Sequence, residues 1–355
     1  MVSMKLRTFL TVFLFFIVLA FPAAATGQAS ITDMYANGDL CEVTIGFSEY
    51  MRNVTLSYDL MLSDRSIDSK VVRLGDVSAG NVTLITLWES GLKKNTYSFS
   101  VSVFVDGELA DSRQTAFVHG NQALLEFKVA GFNSDYKGAA VVISPANIYR
   151  PSIVDMTFEI FRQDELIYSE TLEDISVIQS MEKSIIWPIL LDNGQQYVTV
   201  LKVHSHGSDL TSAYISIFMA EQDVEIMADD VEIDEYGASV TLRGMSQVPF
   251  YGKVGITLSN DQNNIYFEEE SDVLTFNKED TVGFLWENIT GGNYAVVISA
   301  ISNDGKILDS YETAVRITEL PPSQPERTND LSGLNIVNII TVFLAAVLLF
   351  GIKRG

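Results

Sequence analysis

Apolar and polar residues alternate along many short stretches of this chain, and turn-forming residues separate the stretches. Tyr97, Tyr197 and Tyr294 each open a run in which every second position, apart from Thr199, is apolar. This period of two is typical of a β-strand with one buried face. Asp106-Gly107 follows the first of these runs and Asn303-Asp304-Gly305 the third, and both are signals of tight hairpin turns. The pattern therefore predicts an all-β protein.

The chain also repeats itself. It has three tryptophans, Trp88, Trp187 and Trp286, and neighbouring tryptophans are 99 residues apart. The segments DGELADSRQTAF, from Asp106, and DGKILDSYETAV, from Asp304, agree at six of twelve positions and lie twice that distance apart. Repeated short strands with regular turns are typical of β-sandwiches. We therefore predict three tandem β-sandwich domains, spanning 26–120, 121–222 and 223–319.

Each unit has the same order of residues near its end. In the first unit Trp88 is followed by Leu92, a polar turn and Tyr97. This order resembles the corner before the sixth strand of immunoglobulin-like and fibronectin type III-like domains, where a tyrosine bonds back to the preceding backbone. The resemblance implies immunoglobulin-like sandwiches with corners at Tyr97, Tyr197 and Tyr294. It further implies an anchored multi-domain surface protein of the archaeal or bacterial type.

The tryptophans and the single cysteine are interpreted as core residues. A buried indole removes roughly 150–250 Å² from water, so Trp88, Trp187 and Trp286 are each predicted to fill the gap between two sheets. The alternative, an exposed ring that stacks on a ligand, is not favoured. The disulfide of the immunoglobulin family is absent, because Cys41 is the only cysteine. Its alternating strand places Cys41 on a buried face.

The two ends of the chain carry targeting signals. Residues 1–25 have a basic start, an apolar centre and a small-residue end, and are predicted to be a cleaved helical signal peptide. Residues 334–352 are uncharged and long enough for a transmembrane helix. The basic tail 353–355 then places the C-terminus in the cytoplasm and the rest outside the cell. Residues 320–333 are rich in proline and polar residues, and are predicted to be an extended stalk.

The charge of the chain restricts its partners. The formal net charge is −23, which disfavours binding to nucleic acid and to anionic lipid. Such a surface suits solubility or cation binding. We expect contacts with the membrane through 334–352, and with other surface proteins or polysaccharide through the exported part. No cofactor is predicted, apart from calcium as a hypothesis.

Two groups of residues are candidate metal ligands. The first is an acidic segment between the second and third units, a hypothetical calcium site comprising Asp229, Asp230, Glu232, Asp234 and Glu235. Its alternative is a solvated edge that prevents strand pairing. The second is His204 and His206, which share one strand face near Asp209 and could hold zinc or copper. The alternative is a pair of solvated loop histidines.

No enzyme motif supports catalysis, and no catalytic residue is predicted. Three N-glycosylation sequons begin at Asn53, Asn81 and Asn288. The sequence thus predicts a non-enzymatic, single-pass cell-surface protein with a structural, adhesive or surface-layer-associated role. One alternative is a ligand-binding accessory subunit of a membrane complex. Another is an exported hydrolase with a dispersed site.

Overall fold

The computed structural model describes residues 29–88, 91–120, 125–286 and 289–318. All regular elements within these ranges are β-strands, so the predicted all-β class is confirmed there. No helix within them is long and apolar enough to cross a bilayer. The predicted signal peptide 1–25, stalk 320–333, membrane span 334–352 and tail 353–355 lie outside the described residues.

The described strands form three groups of seven, which we call units 1, 2 and 3. Unit 1 contains β1 (Ala29–Ala36), β2 (Leu40–Phe47), β3 (Met51–Leu62), β4 (Arg65–Val77), β5 (Gly80–Leu87), β6 (Asn95–Val105) and β7 (Glu108–His119). Unit 2 contains β8 (Phe127–Ser134), β9 (Gly138–Pro145), β10 (Ser152–Arg162), β11 (Glu165–Val177), β12 (Met181–Ile186), β13 (Gln196–Ser205) and β14 (Leu210–Met219). Unit 3 contains β15 (Val224–Ile233), β16 (Gly237–Gly244), β17 (Gly252–Ser259), β18 (Asn264–Glu270), β19 (Glu279–Leu285), β20 (Gly292–Ser302) and β21 (Ile307–Ile317). The domain limits at 120 and 222 stay predictions.

Each unit pairs its strands in the same antiparallel order. In unit 1, β1-β2-β5 form one layer and β4-β3-β6-β7 form the other. The same order recurs as β8-β9-β12 with β11-β10-β13-β14, and as β15-β16-β19 with β18-β17-β20-β21. In the constant immunoglobulin type the fourth strand joins the first sheet instead. Here the fourth strand pairs with the third, so the units have the fibronectin type III-like variant of the sandwich.

Alternation along the strands builds a separate core in each unit. Leu56, Tyr58 and Leu60 of β3 point inward and are buried, whereas the residues between them are partly exposed. Three large clusters of buried side chains result, one in each unit. A fourth cluster lies between units 1 and 2 and includes Leu40 and Phe161. Units 1 and 2 therefore also contact each other through their side chains, outside the segment that links them.

Each tryptophan follows the fifth strand of its unit and contacts an aromatic ring of the opposite sheet. Trp187 is fully buried and Trp286 is 6% exposed, but Trp88 is only half-buried at the edge of its core. The indole nitrogen of Trp88 donates to the carbonyl of Asn37 at 2.8 Å, and that of Trp187 donates to Asp135 at 2.9 Å. Each acceptor lies in the loop between the first and second strands of its own unit. In units 1 and 2 the indole therefore joins this loop to the end of the fifth strand, whereas the buried indole nitrogen of Trp286 has no hydrogen-bond partner among the described residues.

The three tyrosines make the backbone bonds that the resemblance implies. The Tyr97 hydroxyl donates to the carbonyl of Lys93 at 2.7 Å, and the Tyr294 hydroxyl donates to that of Thr290 at 2.9 Å. The Tyr197 hydroxyl instead accepts from the Asp192 amide at 2.9 Å. Each bond spans four or five residues and fixes the connection into the sixth strand.

The repeated DG segments also have a structural reason. Asp111, in the first copy, accepts a hydrogen bond of 2.7 Å from the Ile31 amide on β1. Asp309 occupies the same place in the other copy and accepts one of 2.7 Å from the Ile226 amide on β15. In units 1 and 3 the last strand thus holds the first strand through a carboxylate. A backbone amide that does not bond to the neighbouring strand of its sheet needs another acceptor, and here the acceptor is a carboxylate.

Candidate functional site: two different joints between the units

Units 1 and 2 lie side to side, with the outer face of β1-β2-β5 against the outer face of β10, β13 and β14. Leu40 and Ile85 of unit 1 are buried against Phe161 and Val200 of unit 2. These residues alternate with the core residues of their own strands, so in an isolated unit they would face water. We call this contact the side-to-side joint. Its buried centre shows that the outer faces of these two sheets are covered as well as the inner ones.

A chain of three charged residues crosses the side-to-side joint. Lys202 Nζ lies 2.8 Å from Glu42 Oε1 of unit 1 and 2.8 Å from Glu159 Oε1 of its own unit. Both glutamates are 4% exposed. Among the described residues, the second carboxylate oxygen of each glutamate has no hydrogen-bond partner. One ammonium group therefore serves two buried carboxyl groups, which leaves one excess negative charge when both are ionised.

This excess charge affects proton binding. Burial raises the pKa of Glu159 to about 8, the nearby charge of Glu42 raises it as well, and Lys202 opposes both effects. Burial by itself would lower the pKa of Lys202, but the two carboxylates outweigh it and the pKa is raised. The charged form of Lys202 is therefore favoured, while Glu159 keeps its proton to a higher pH than an exposed glutamate does.

The edge of the joint is closed by backbone contacts. The turn between β10 and β11 reaches the edge strand β5, where the Ile85 amide donates to the carbonyl of Asp164 at 2.8 Å and Leu84 pairs with Glu165. Lys70 also forms an exposed ion pair of 2.7 Å with Asp164. Through this bridge the sheets of the two units join as β1-β2-β5-β11-β10-β13-β14.

Units 2 and 3 instead meet end to end. The loop between β16 and β17 inserts into the end of unit 2, where Val248 is 2% exposed and packs in the core of unit 2. The Gln247 amide donates to the carbonyl of Tyr136 at 3.1 Å, and its side-chain amide donates to the carbonyl of Trp187. The carbonyl of Gln247 accepts from Leu191 at 3.1 Å. We call this contact the end-to-end joint.

Polar contacts surround the inserted loop. The Tyr136 hydroxyl donates to Asp223 at 2.8 Å, and burial, followed by this bond, raises the pKa of Tyr136 to about 12. Lys306 forms an exposed ion pair of 3.3 Å with Glu221. No buried charge trio like the one at Lys202 occurs among the described residues of this joint.

The acidic segment proposed for calcium does not form a compact ligand set. Its carboxylates lie along the edge strand β15 and the turn after it, and Asp234 accepts the amides of Tyr236 and Gly237. A strand rises about 3.3 Å per residue, so Asp229 is roughly 17 Å beyond the start of β15. Residues 229–233 therefore lie along β15 of unit 3, and Asp234 lies in the turn after this strand. Calcium binding by Asp229, Asp230, Glu232, Asp234 and Glu235 stays an untested prediction.

The two histidines lie close together but have different partners. The rings of His204 and His206 have centroids 5.8 Å apart. His204 Nε2 is 3.7 Å from Asp209, whereas His206 Nε2 is 2.9 Å from Asp155. The carboxylate beside His206 belongs to β10, so sequence spacing alone could not reveal it.

The sequon asparagines within the described residues are exposed. Asn53 and Asn81 lie at the start of β3 and of β5 on the surface of unit 1. Asn288 lies outside the described residues. Cys41 is fully buried, and burial raises the pKa of its thiol, so it is a core residue and a poor nucleophile.

Sequence reasoning missed the residues that form the side-to-side joint. Glu42, Glu159 and Lys202 sit on the outward positions of alternating strands, which normally face solvent. One local signal exists, because the segment FEIF places apolar rings on both faces of β10 at Phe158 and Phe161. A strand with two apolar faces is typical of burial on both sides.

Comparisons with known proteins place few limits on function. No protein-family model and no curated protein matches the chain. Similar solved structures include a tetra-tandem repeat in the extending region of a large adhesion protein, with 12% identity over 82% of this chain and 74% of that one and a TM-score of 0.26. The FN1-FN3 domains of chicken CNTN1 share 10% identity over 82% of this chain and 99% of that one, with a TM-score of 0.23. Red sea bream transglutaminase shares 10% identity over 56% and 32% respectively, with a TM-score of 0.26. The fold class follows from the order of the strands in each sheet.

Proposed function

We propose that this chain is a non-enzymatic, single-pass cell-surface protein with a structural, adhesive or surface-layer-associated role. The observation that carries the proposal is the pair of built joints, which hold three sandwiches in fixed positions. Buried contacts such as Phe161 on Leu40 and Val248 in the core of unit 2 oppose independent movement of the units. A fixed array of sandwiches with exposed loops suits a spacer or a contact surface.

Location is part of the proposal and rests on the sequence of the two ends. Segment 1–25 would direct export, 334–352 would hold the chain in the membrane and 320–333 would keep the sandwiches away from the lipid. Protease treatment of intact cells tests this arrangement. We expect loss of the sandwich region from the outside and retention of a short membrane fragment. Complete protection in intact cells would contradict it.

The role itself is tested with the purified exported region, residues 26–319. Self-assembly or binding to isolated cell-surface polymer would support the structural or adhesive role. Recovery of a single membrane partner with the full chain, lost when 334–352 is replaced by an unrelated span, would favour an accessory subunit instead. Turnover on a hydrolase panel would contradict the non-enzymatic role.

A further inference from the structure

A histidine and two aspartates meet on the outer face of unit 2. One ligand atom from each of Asp155, Asp174 and His206 lies within 4.8 Å of the others, and theirs is the one such set of His, Cys, Asp or Glu found in the described ranges. His206 Nε2 is 2.9 Å from Asp155, and His206 Nδ1 is 3.8 Å from Asp174. The three residues come from β10, β11 and the connection after β13, so only the folded sheet brings them together.

The backbone holds these side chains in place. The antiparallel pairing of β10 with β11 is irregular between Val154 and Met156, because β11 has an extra residue there. Asp174 lies in this irregular part of β11 and has a φ of 55°. A left-handed conformation is unfavourable for most residues other than glycine, although aspartate tolerates it better than most. The Asp174 amide donates to Asp155 Oδ1 at 2.9 Å, which leaves Asp155 Oδ2 directed at the imidazole. The His206 amide donates to the carbonyl of Ile153 and fixes the third residue beside β10.

The set is particular to unit 2. Asp155 pairs with His204 between β10 and β13, as Thr55 pairs with Phe104 between β3 and β6. The position of Asp155 thus corresponds to Thr55 in unit 1, and that of His206 corresponds to Asp106. Unit 1 has no imidazole there, so the three-residue set is not a requirement of the sandwich fold.

We propose that Asp155, Asp174 and His206 bind a divalent transition-metal ion of the zinc class. Zinc bonds to imidazole nitrogen and carboxylate oxygen are about 2.0–2.2 Å long, so two ligands of one ion are at most about 4.4 Å apart. The separations of the three ligand atoms, at most 4.8 Å, exceed this limit by no more than about 0.4 Å. Calcium prefers six to eight oxygen ligands, whereas a mixed nitrogen and oxygen set favours zinc and its neighbours.

This site differs from the histidine pair that the sequence predicts. His204 is turned toward Thr211 and Asp209, and it is not part of the three-residue set. Three protein ligands leave at least one position on the ion for water or for a group of another molecule. The exposed end of unit 2, on the side away from unit 3, therefore gains a cation in an otherwise acidic chain.

The experiment measures metal binding by the full purified chain. Zn²⁺ is titrated calorimetrically in excess Ca²⁺, which occupies nonspecific carboxylate sites, and Co²⁺ is titrated by its visible absorption. We expect one equivalent bound. H206A should weaken binding at least about 100-fold, since loss of an outer partner of a metal ligand alone costs about 10–100-fold. D174N should weaken it at least about tenfold.

H204Q is the matched control and should bind as the wild type does. Circular dichroism checks that each variant keeps its fold, which the exposure of these side chains favours. Absence of Zn²⁺ and Co²⁺ binding to the wild type at millimolar concentration would overturn the proposal. Unchanged binding by H206A, or loss of binding in H204Q alone, would also overturn it.

Discussion

The two joints connect sandwiches of the same topology in different ways. The side-to-side joint places outer sheet faces together around Glu42, Glu159 and Lys202, whereas the end-to-end joint inserts Val248 of unit 3 into the core of unit 2. The loop of unit 2 that corresponds to the inserted loop carries Ile148 and is exposed. Repetition of a fold therefore does not imply repetition of its contacts, because contact residues occupy positions that the fold leaves free.

The comparison also separates two kinds of stabilisation. The end-to-end joint buries an apolar side chain and satisfies backbone groups, which stabilises at any pH. The side-to-side joint adds a buried ion trio, in which desolvation opposes the Coulomb attraction. We expect that trio to be costly to break and sensitive to pH, whereas the inserted loop should behave as ordinary core.

The largest expected effect is that of K202A. The substitution leaves two buried carboxyl groups without their cation, and breaking a buried ion pair in this way typically costs about 3–5 kcal/mol. We expect faster hydrogen exchange in β2 and β13 and a lower first unfolding transition. K70A removes the exposed ion pair at the same joint and is the matched control. Equal effects of the two variants would show that the trio is not the centre of the joint.

The second prediction concerns pH. The pKa of Glu159 rises from its ordinary 4.5 to about 8 in the folded protein, so between these values the folded chain binds more protons than the unfolded chain. The free energy of unfolding should therefore fall as pH rises from 4.5 to 8, and this contribution should level off above that.

E159Q replaces the titrating group with a neutral amide and keeps the pair of Lys202 with Glu42. We expect E159Q to be less dependent on pH in this window and more stable than the wild type at pH 8.5. Denaturant unfolding at several pH values provides the measurement. The same pH slope in both proteins would assign the titration to another group.

V248A should have a smaller effect, at the other joint. It removes two methyl groups from a packed core, which costs roughly 2 kcal/mol including the cavity. The expected result is a lower unfolding transition of unit 2 and faster proteolysis between units 2 and 3. I148A truncates the exposed residue of the corresponding loop and should change stability by less than about 0.5 kcal/mol. A larger effect of I148A would mean that this loop also has a contact.

The smallest effects are expected from the exposed ion pairs. K70A at the side-to-side joint and K306A at the end-to-end joint each remove a pair between exposed side chains, worth about 0–1 kcal/mol. Both effects should decrease further in high salt. A loss of several kcal/mol in K306A would place an unrecognised ionic centre at the end-to-end joint.

Much of each unit could be predicted because its signals are local. The turn before Tyr97 and the alternation after it lie within one short segment, and the structure places the corner bond there. Trp88 shows the limit of this reasoning. Its spacing is the same as that of Trp187, yet it is half-buried, because burial depends on what packs over the edge of each unit.

The candidate sites were less predictable. The histidine pair could be seen in the sequence, but Asp155 and Asp174 join His206 only after β10, β11 and β13 align in one sheet. The carboxylates of the acidic segment at 229–235 are spread along β15 and the turn after it, which the sequence did not reveal. Ligand sets depend on register across strands, and register is set by residues distant in sequence.

The sequence by itself determined an all-β chain with a repeated unit, because alternation, turns and corner tyrosines act over a few residues. Only the tertiary structure decided how the units meet. Outward residues such as Glu42 and Lys202 have the same pattern whether they face water or another sheet. Their environment is fixed by the surface that packs against them. The alternation of apolar and polar residues along a strand contains no information about that surface.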